Sequence, residues 1–225
     1  LSHNYLNNRL TKYNDNDESN EANLRQRAKS TDQKTSLRVE NRTALGQWTR
    51  KQGAEGNYVQ HRNRTRQRIY TDMAGWTDYR TALGVWTWGV FTSLDYQSAN
   101  ERFSASAGLR TDAANLALMR NPLEQLSPRI SVRYALAPQW SVAANAGIFY
   151  QLPTGTALGY KDNNGTLANN RLKYQKVTSE SMGVSWRPSR QLVFTLEGFH
   201  KIYRRMPLSV MDNIPLACKG NDYGV

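Results

Sequence analysis

Three histidines, His3, His61 and His200, are the first residues in this chain with the chemistry to hold a metal or move a proton. A metal site on regular backbone needs a second ligand at i+2 or i+4, and none of the three has one, so each reads as a hydrated or interior-facing side chain. The segment Lys161-Asp162-Asn163-Asn164-Gly165 has a calcium-loop flavour. It carries a single acid and no carboxylate at the twelfth position, so a polar loop turning at Asn-Gly is the better reading. Cys218 is the sole cysteine, which excludes an internal disulfide or a thiolate cage. Asn41-Arg42-Thr43 and Asn164-Gly165-Thr166 satisfy a glycosylation pattern that is common by chance. No phosphate loop, nucleophile elbow or paired-carboxylate signature is present. No catalysis and no cofactor are therefore expected.

One cluster has chemistry of another kind. Arg62, Arg64, Arg66 and Arg68 alternate along the chain, and on a strand they would all point the same way as a positive ladder. Such a ladder is either a solvated rim or a contact for an anionic lipid or ligand. The net charge of +12 also raises nucleic acid as a partner. Against that, no recognition motif is visible and the aromatic residues gather at strand ends rather than on a stacking platform.

The elements that would position these groups have a period of two. Ile130, Val132, Tyr134 and Leu136 alternate with Arg129, Ser131, Arg133 and Ala135; after a turn at Pro138, Trp140, Val142, Ala144, Ala146, Ile148 and Tyr150 form the next apolar face. Phe149 is a bulky exception on the polar side. Similar units run from Leu83 to about Tyr96, from Phe103 to Arg110, from Ser181 to Arg187 and back through Leu192, Phe194 and Leu196, with a weaker strand from Trp48 to Gln60. Tight turns fall near positions 47, 99, 138 and 189. Their spacing fits two strands of about ten residues plus one long polar loop, and the long loops are expected at 14–23, 62–81, 112–125, 154–174 and 211–224.

Aromatic residues mark both ends of the strands. Trp48, Tyr96, Phe103, Tyr134, Trp140, Trp186 and Phe194 lie beside the tight turns, and Trp86, Trp88, Tyr150 and Tyr203 lie near the other ends. Ten steps from Trp140 to Tyr150, tilted near 40°, rise roughly 25 Å, the height of the apolar band of an outer-membrane barrel. No apolar run reaches the roughly 18 residues of a membrane helix. The mean hydropathy of -0.72 is no obstacle to a barrel, whose lipid-facing residues alternate with polar ones. The chain opens Leu1-Ser2-His3-Asn4, without Met or a signal pattern, so any signal peptide is expected upstream. The fold class expected is all-β: an antiparallel up-and-down meander forming part of a transmembrane β-barrel, with short periplasmic turns and long extracellular loops.

Ser127-Pro128-Arg129 opening a strand, the Pro138 turn with Trp140, and Tyr150-Gln151-Leu152-Pro153 closing the next strand resemble the central barrel of TonB-dependent outer-membrane receptors. Gly108-Leu109-Arg110-Thr111-Asp112 and Glu197-Gly198-Phe199-His200-Lys201-Ile202-Tyr203 are similar to neighbouring strands of that family. The likeness is strongest from about Phe103 to Val210. Residues 1–225 would then be a partial barrel domain, because the family's N-terminal plug, its TonB-gripped segment and the rest of its 22 strands are not visible. The resemblance implies energised uptake of an iron chelate, corrinoid or oligosaccharide in a Gram-negative outer membrane. It implies as partners outer-membrane lipid and lipopolysaccharide, the TonB complex through the N-terminal part, and a transported small ligand, with no nucleic acid.

Two rival readings remain open from the residues: a passive porin-like barrel, and a soluble basic β-rich protein binding glycan or nucleic acid. The soluble reading requires the bulky alternating residues to meet across a sealed two-layer core. Ligand contacts in a receptor barrel would come from loops and interior walls, so Arg64, Tyr70, Trp76, Tyr160 and Asp162, all placed on external loops, are the expected ligand-binding residues. Glu197 and Lys201 share one face and are expected to point into a hydrated interior.

Overall fold

A computed structural model describes residues 1–69, 75–161 and 165–208, together with 213 and 215. Among these residues there is one antiparallel sheet of nine strands, each paired only with its sequence neighbours. The strands are β1 (Ser2–Tyr13), β2 (Leu24–Leu45), β3 (Trp48–Ile69), β4 (Gly75–Gln97), β5 (Phe103–Ala114), β6 (Ser127–Ala137), β7 (Trp140–Gln151), β8 (Gln175–Trp186) and β9 (Phe194–Arg204). A short helix, α1 (Gly155–Leu158), lies in the connection between β7 and β8. Among the described residues no helix is long and apolar enough to cross a membrane. The sheet is an open section of a barrel.

The expected tight turns are present. Gly46 and Gln47 join β2 to β3, with Gly46 at φ 62°, a conformation that glycine adopts without steric cost. Residues 98–102, Pro138-Gln139 and 187–193 make the other turns at this rim. Ser98 N–H to the Phe103 carbonyl closes the turn at 98–102, while Gln97 N–H to the Gln47 carbonyl and Arg187 N–H to the Gln139 carbonyl tie neighbouring turns together.

Alternation assigns the two faces. The outer face carries Leu37, Val39, Trp86, Ile130, Met182 and Leu196, all large, apolar and exposed, with Leu196 80% exposed. No second layer meets them among the described residues, so the sealed two-layer core required by a soluble sandwich is absent. Beside the tight turns the outer face forms an aromatic belt: Trp48 contacts Tyr96 at 4.7 Å, Tyr96 contacts Phe103 at 6.0 Å, and Trp140, Trp186 and Phe194 stack at 5.5 Å spacings. A second belt contains Tyr58 against Trp86 at 4.6 Å, with Trp88 and Tyr150. On β3, β4 and β7 the two belts are separated by the same ten positions, 48 to 58, 96 to 86 and 140 to 150. That interval rises roughly 25 Å on tilted strands.

Four expectations need correction. Tyr203 lies on the inner face with Glu197, not in the outer belt, because it is an odd number of steps from Leu196 and Ile202. The return strand starts at Phe194, so Leu192 belongs to the turn. Residues 62–69 and 75–81 are strand rather than loop, since β3 and β4 stay in register from Trp48↔Tyr96 to Ile69↔Gly75. Residues 112–114 likewise complete β5. Strands β2, β3 and β4 thus reach 22, 22 and 23 residues, about twice the 9–11 that span a membrane. Their upper halves stand beyond the second aromatic belt.

The outer face is not wholly apolar between the belts: Asn41, Arg50 and Gln52 lie on it at β2 and β3, and Glu180 and His200 face each other across β8 and β9.

Candidate functional site

The inner face is polar because the positions between lipid-facing residues are filled by Arg, Lys, Asp, Glu, Ser and Asn. At its centre Arg110 on β5 makes a bidentate contact with Asp112, 2.6 and 2.9 Å, and reaches Glu55 on β3 at 3.6 Å. Arg38 on β2 bridges Glu40 at 2.6 Å and Glu55 at 3.7 Å. Asn57 joins the group by donating to Glu55 Oε1 at 3.1 Å and to Thr87 Oγ1 at 3.2 Å. Gly89 lies between Glu55 and Asp112 in the register, and a Cβ there would fall 2.4 Å from Asp112 Oδ1. The missing side chain makes room for the Arg110–Asp112 pair.

Aromatic rings complete the wall. Arg38 stacks over Phe91 at 4.5 Å and Arg129 over Phe149 at 4.5 Å. Phe149, the bulky residue on a polar face, is thus accounted for by its cation. Nearer the tight turns Lys51 pairs with Asp95 at 2.7 Å, and Ser106 donates to the same carboxylate. Glu197 and Arg133 line a neighbouring hollow of about 400 Å³ with Asn145, Ser181 and Thr195. Glu197 and Lys201 share this inner side, and Lys201 lies 5.3 Å from the Phe199 ring.

The upper end of the wall is covered by two connections. In loop 152–174, Thr154 caps α1 by accepting from Ala157 N–H at 3.3 Å, and Thr81 on β4 donates to the Gly159 carbonyl at 2.5 Å. Gly155 packs against the His61 ring so closely that a Cβ would lie 2.6 Å from its Cγ. Leu158 joins Val85, Ala114, Met119 and Tyr174 in a small apolar core on the inner side. Met119 comes from loop 115–126, and Lys173 ties the two connections together through Glu124 at 3.1 Å. Burial, with nearby Asp112 adding to it, pushes the Tyr174 phenol well above its ordinary range, so it stays neutral.

His61, 3% exposed, is held by Asp32 at 2.6 Å through Nδ1. Its Nε2, like Asn57 Oδ1, has no hydrogen-bond partner among the described residues. Among the described residues no group of His, Cys, Asp and Glu has the arrangement of a metal site.

The residues expected from sequence are dispersed. Tyr160 lies in loop 152–174 and meets Tyr79 edge-on at 5.7 Å. Arg64 and Trp76 are not on loops: they belong to β3 and β4, on the outer face away from the polar wall. Trp76 lies beneath the guanidiniums of Arg66, at 4.6 Å, and Arg68, at 5.9 Å. Tyr70 and Asp162 lie outside the described residues. The inner cluster of Arg38, Glu55 and Arg110 was not singled out by sequence reasoning. Its signal is charged residues at every second position within strands, which can be read only once register aligns the four strands β2 to β5.

Comparison with known proteins agrees with this architecture. The family model described as TonB dependent receptor-like, beta-barrel, matches residues 1–223. No curated protein matches the sequence. Among solved structures, the copper transporter OprC is similar with a TM-score of 0.63 at 19% identity, over 90% of this chain and 34% of that one. The ferric enterobactin receptor PfeA of Pseudomonas aeruginosa, in a mutant form bound to enterobactin, gives 0.59 at 13% identity over 90% and 32%. The ferric citrate transporter FecA without ligand gives 0.54 at 11% over 84% and 30%. The chain spans about a third of the length of these structures.

Proposed function

Because the chain belongs to the TonB-dependent receptor β-barrel family, we propose that it forms part of the wall of a Gram-negative outer-membrane receptor that imports a scarce ligand with energy delivered through TonB. The cargo is an iron chelate, a corrinoid or an oligosaccharide. The observation that carries this reading is the inner wall: charged groups locked to one another by ion pairs, beneath connections that pack inward over it. An open diffusion pore gains nothing from an apolar core built across its inner surface. A receptor, which must hold its cargo until energy is supplied, gains a structured surface at its mouth.

In this role the protein binds and passes its ligand without making or breaking bonds. Glu40, Glu55, Asp95 and Asp112 are engaged by cations, as structural charges of a hydrated interior are. Tyr160 is the sequence-identified residue best placed to touch a ligand at the outer mouth, with Asn57 and Arg129 below it on the wall. Tyr70 and Asp162, outside the described residues, remain candidates from the sequence.

The test uses the full-length receptor in cells. Uptake of iron-loaded chelates, corrinoids and oligosaccharides is measured with and without functional TonB. One of these classes should accumulate against its gradient, and only when TonB is present. Equal, non-saturating entry in both strains would establish a passive pore instead.

A further inference from the structure

Strand β4 outruns its neighbour on one side. Its pairing with β5 ends at Thr87↔Ala114, whereas its pairing with β3 continues to Ile69↔Gly75. Among the described residues, positions 76–84 therefore have a partner strand along one edge and none along the other. Backbone groups alternate in direction along a strand. The Trp86 N–H donates to Asn115 Oδ1 and the Trp86 carbonyl accepts from the Asn115 N–H, so even-numbered residues point to the β5 side. The backbone groups of Trp76, Asp78, Arg80, Ala82 and Gly84 thus face the open edge, and among the described residues they have no hydrogen-bond partner there.

The edge is accessible. Ala82 and Gly84 are exposed although they carry a methyl group and no side chain, which leaves their backbone open. Loop 152–174 meets β4 through Thr81 and Tyr79, whose side chains lie on the inner face, and not through the even-numbered positions. Proteins blunt long edges with proline, a bulge or a cover. Residues 76–84 contain no proline and the β3–β4 ladder has no bulge. Gly84 to Trp76 are two to ten positions beyond Trp86 in the belt. The edge therefore rises from roughly 5 to roughly 25 Å above the ring layer, where proteins outside the cell can reach it.

Charge selects the strand that fits. Lys29, Arg64 and Arg80 stand opposite one another on β2, β3 and β4, a row of like charges that ends at the open edge. A strand added there sets one side chain directly opposite Arg80, where an acid is favoured and a base repelled. The β4 edge of a second copy in the same membrane runs in the same direction, so it cannot supply the more stable antiparallel pairing. We propose that the outer end of β4 is a strand-addition site for a protein partner arriving from outside the cell, whose extended segment pairs antiparallel with residues 76–84 and places an acidic side chain opposite Arg80. The N–H and C=O groups of the open edge supply the hydrogen bonds, and the acid fixes the register. The small Ala82 and Gly84 leave room for bulky side chains on the added strand. The site rests on the outer-membrane placement proposed above but not on the identity of the cargo.

Binding and amide hydrogen exchange are measured on the full-length receptor in a neutral detergent. The probes are two threonine-rich peptides of about nine residues that differ only at the central position, aspartate in one and lysine in the other. In the receptor alone the amides of Asp78, Arg80, Ala82 and Gly84 should exchange faster than those of Tyr79, Thr81 and Leu83, which β3 holds. The aspartate peptide should slow the even-numbered amides, leave the odd-numbered ones unchanged, and bind about tenfold more tightly than the lysine peptide. Arg80→Glu should invert that preference. Ala82→Pro removes an N–H from the open edge and none from the ladder with β3, and should weaken the aspartate peptide about fivefold; if that variant does not fold, the charge inversion decides. Absence of even-numbered protection at millimolar aspartate peptide overturns the proposal, as does equal binding of the two peptides. Even-numbered amides already protected in the receptor alone would assign the edge to the receptor's own chain and overturn it as well. Uptake that does not depend on TonB bears on the receptor reading and leaves these measurements unaffected.

Discussion

Replacing Gly155 by alanine tests whether the inward packing of loop 152–174 depends on the contact with His61. The added methyl would lie 2.6 Å from His61 Cγ, 2.8 Å from Nδ1 and 2.9 Å from Cβ, whereas ordinary carbon contacts begin near 3.4 Å. The ring cannot rotate away without breaking the 2.6 Å contact with Asp32. Its Cβ is fixed by a strand paired on both sides. The short helix must therefore move by roughly 1 Å, and overpacking of this kind costs about 1–3 kcal/mol. Opposing it are the burial of Leu158, worth about 2 kcal/mol, and the Thr81 hydrogen bond to Gly159, worth about 1 kcal/mol. The cost is comparable with the sum, so the docked fraction of the loop should fall by about 5- to 150-fold relative to the undocked. Hydrogen exchange at Leu158 and Gly159, whose amides bond to the Thr154 and Gly155 carbonyls, should accelerate by that factor in the full-length receptor. The Gly198→Ala control, where a Cβ meets nothing within 4 Å, should leave those amides unchanged. Adding His61→Ala to the Gly155 variant removes two of the three close contacts and should restore part of the protection. Unchanged exchange in Gly155→Ala would show that this contact does not hold the loop.

Arg110→Gln leaves Asp112 without its bidentate partner and Glu55 with the 3.7 Å contact to Arg38 and the hydrogen bond from Asn57. Because the groups are partly solvated, the loss should be about 1–2 kcal/mol by urea unfolding in detergent, and Arg110→Lys should recover less than half of it. Trp186→Ala removes the middle ring of the Trp140–Trp186–Phe194 stack and should cost about 1–3 kcal/mol of stability in lipid vesicles; an unchanged unfolding midpoint would mean that the belt is ornamental. In the connection between β1 and β2, hydrogen bonds from the Ser19 hydroxyl and amide hold the Asp17 carboxyl below its usual range, with Asn23 contributing. A depressed folded-state value means that this stabilisation is present above the unfolded carboxylate range and is lost as pH falls through the folded one. Amide exchange at Ser19 should therefore quicken in acid relative to neutral pH in the wild type, and Asp17→Asn should flatten that extra dependence.

The turn positions and the two aromatic belts were legible because each rests on a local signal. Gly46-Gln47, Pro138-Gln139 and the rings beside them keep their meaning whatever else the chain does. The upper halves of β3 and β4 have the sequence of a loop for an equally local reason. Residues 61–68 alternate His, Asn, Thr and Gln with four arginines, so neither face is apolar, and strand recognition by apolar alternation fails there. β1 was missed for the same reason: in His3, Asn4, Asn7, Asn8 and Arg9 both faces are polar. The candidate site lay still further from view. Arg38, Glu55 and Arg110 are brought together by the pairing of β2 with β3, β3 with β4 and β4 with β5, and loop 152–174 folds inward because Leu158 finds Val85, Met119 and Tyr174. Neither fact has a marker within any ten-residue window.

The unbroken ladder between β3 and β4 has a mechanical consequence. From Trp48↔Tyr96 to Ile69↔Gly75 there is no bulge or proline where the ribbon could bend, so its exposed crest and its membrane-spanning half behave as one stiff beam. A push on the crest by a docking particle would be felt at Glu55 and Asn57 as a tilt, without passing through a joint.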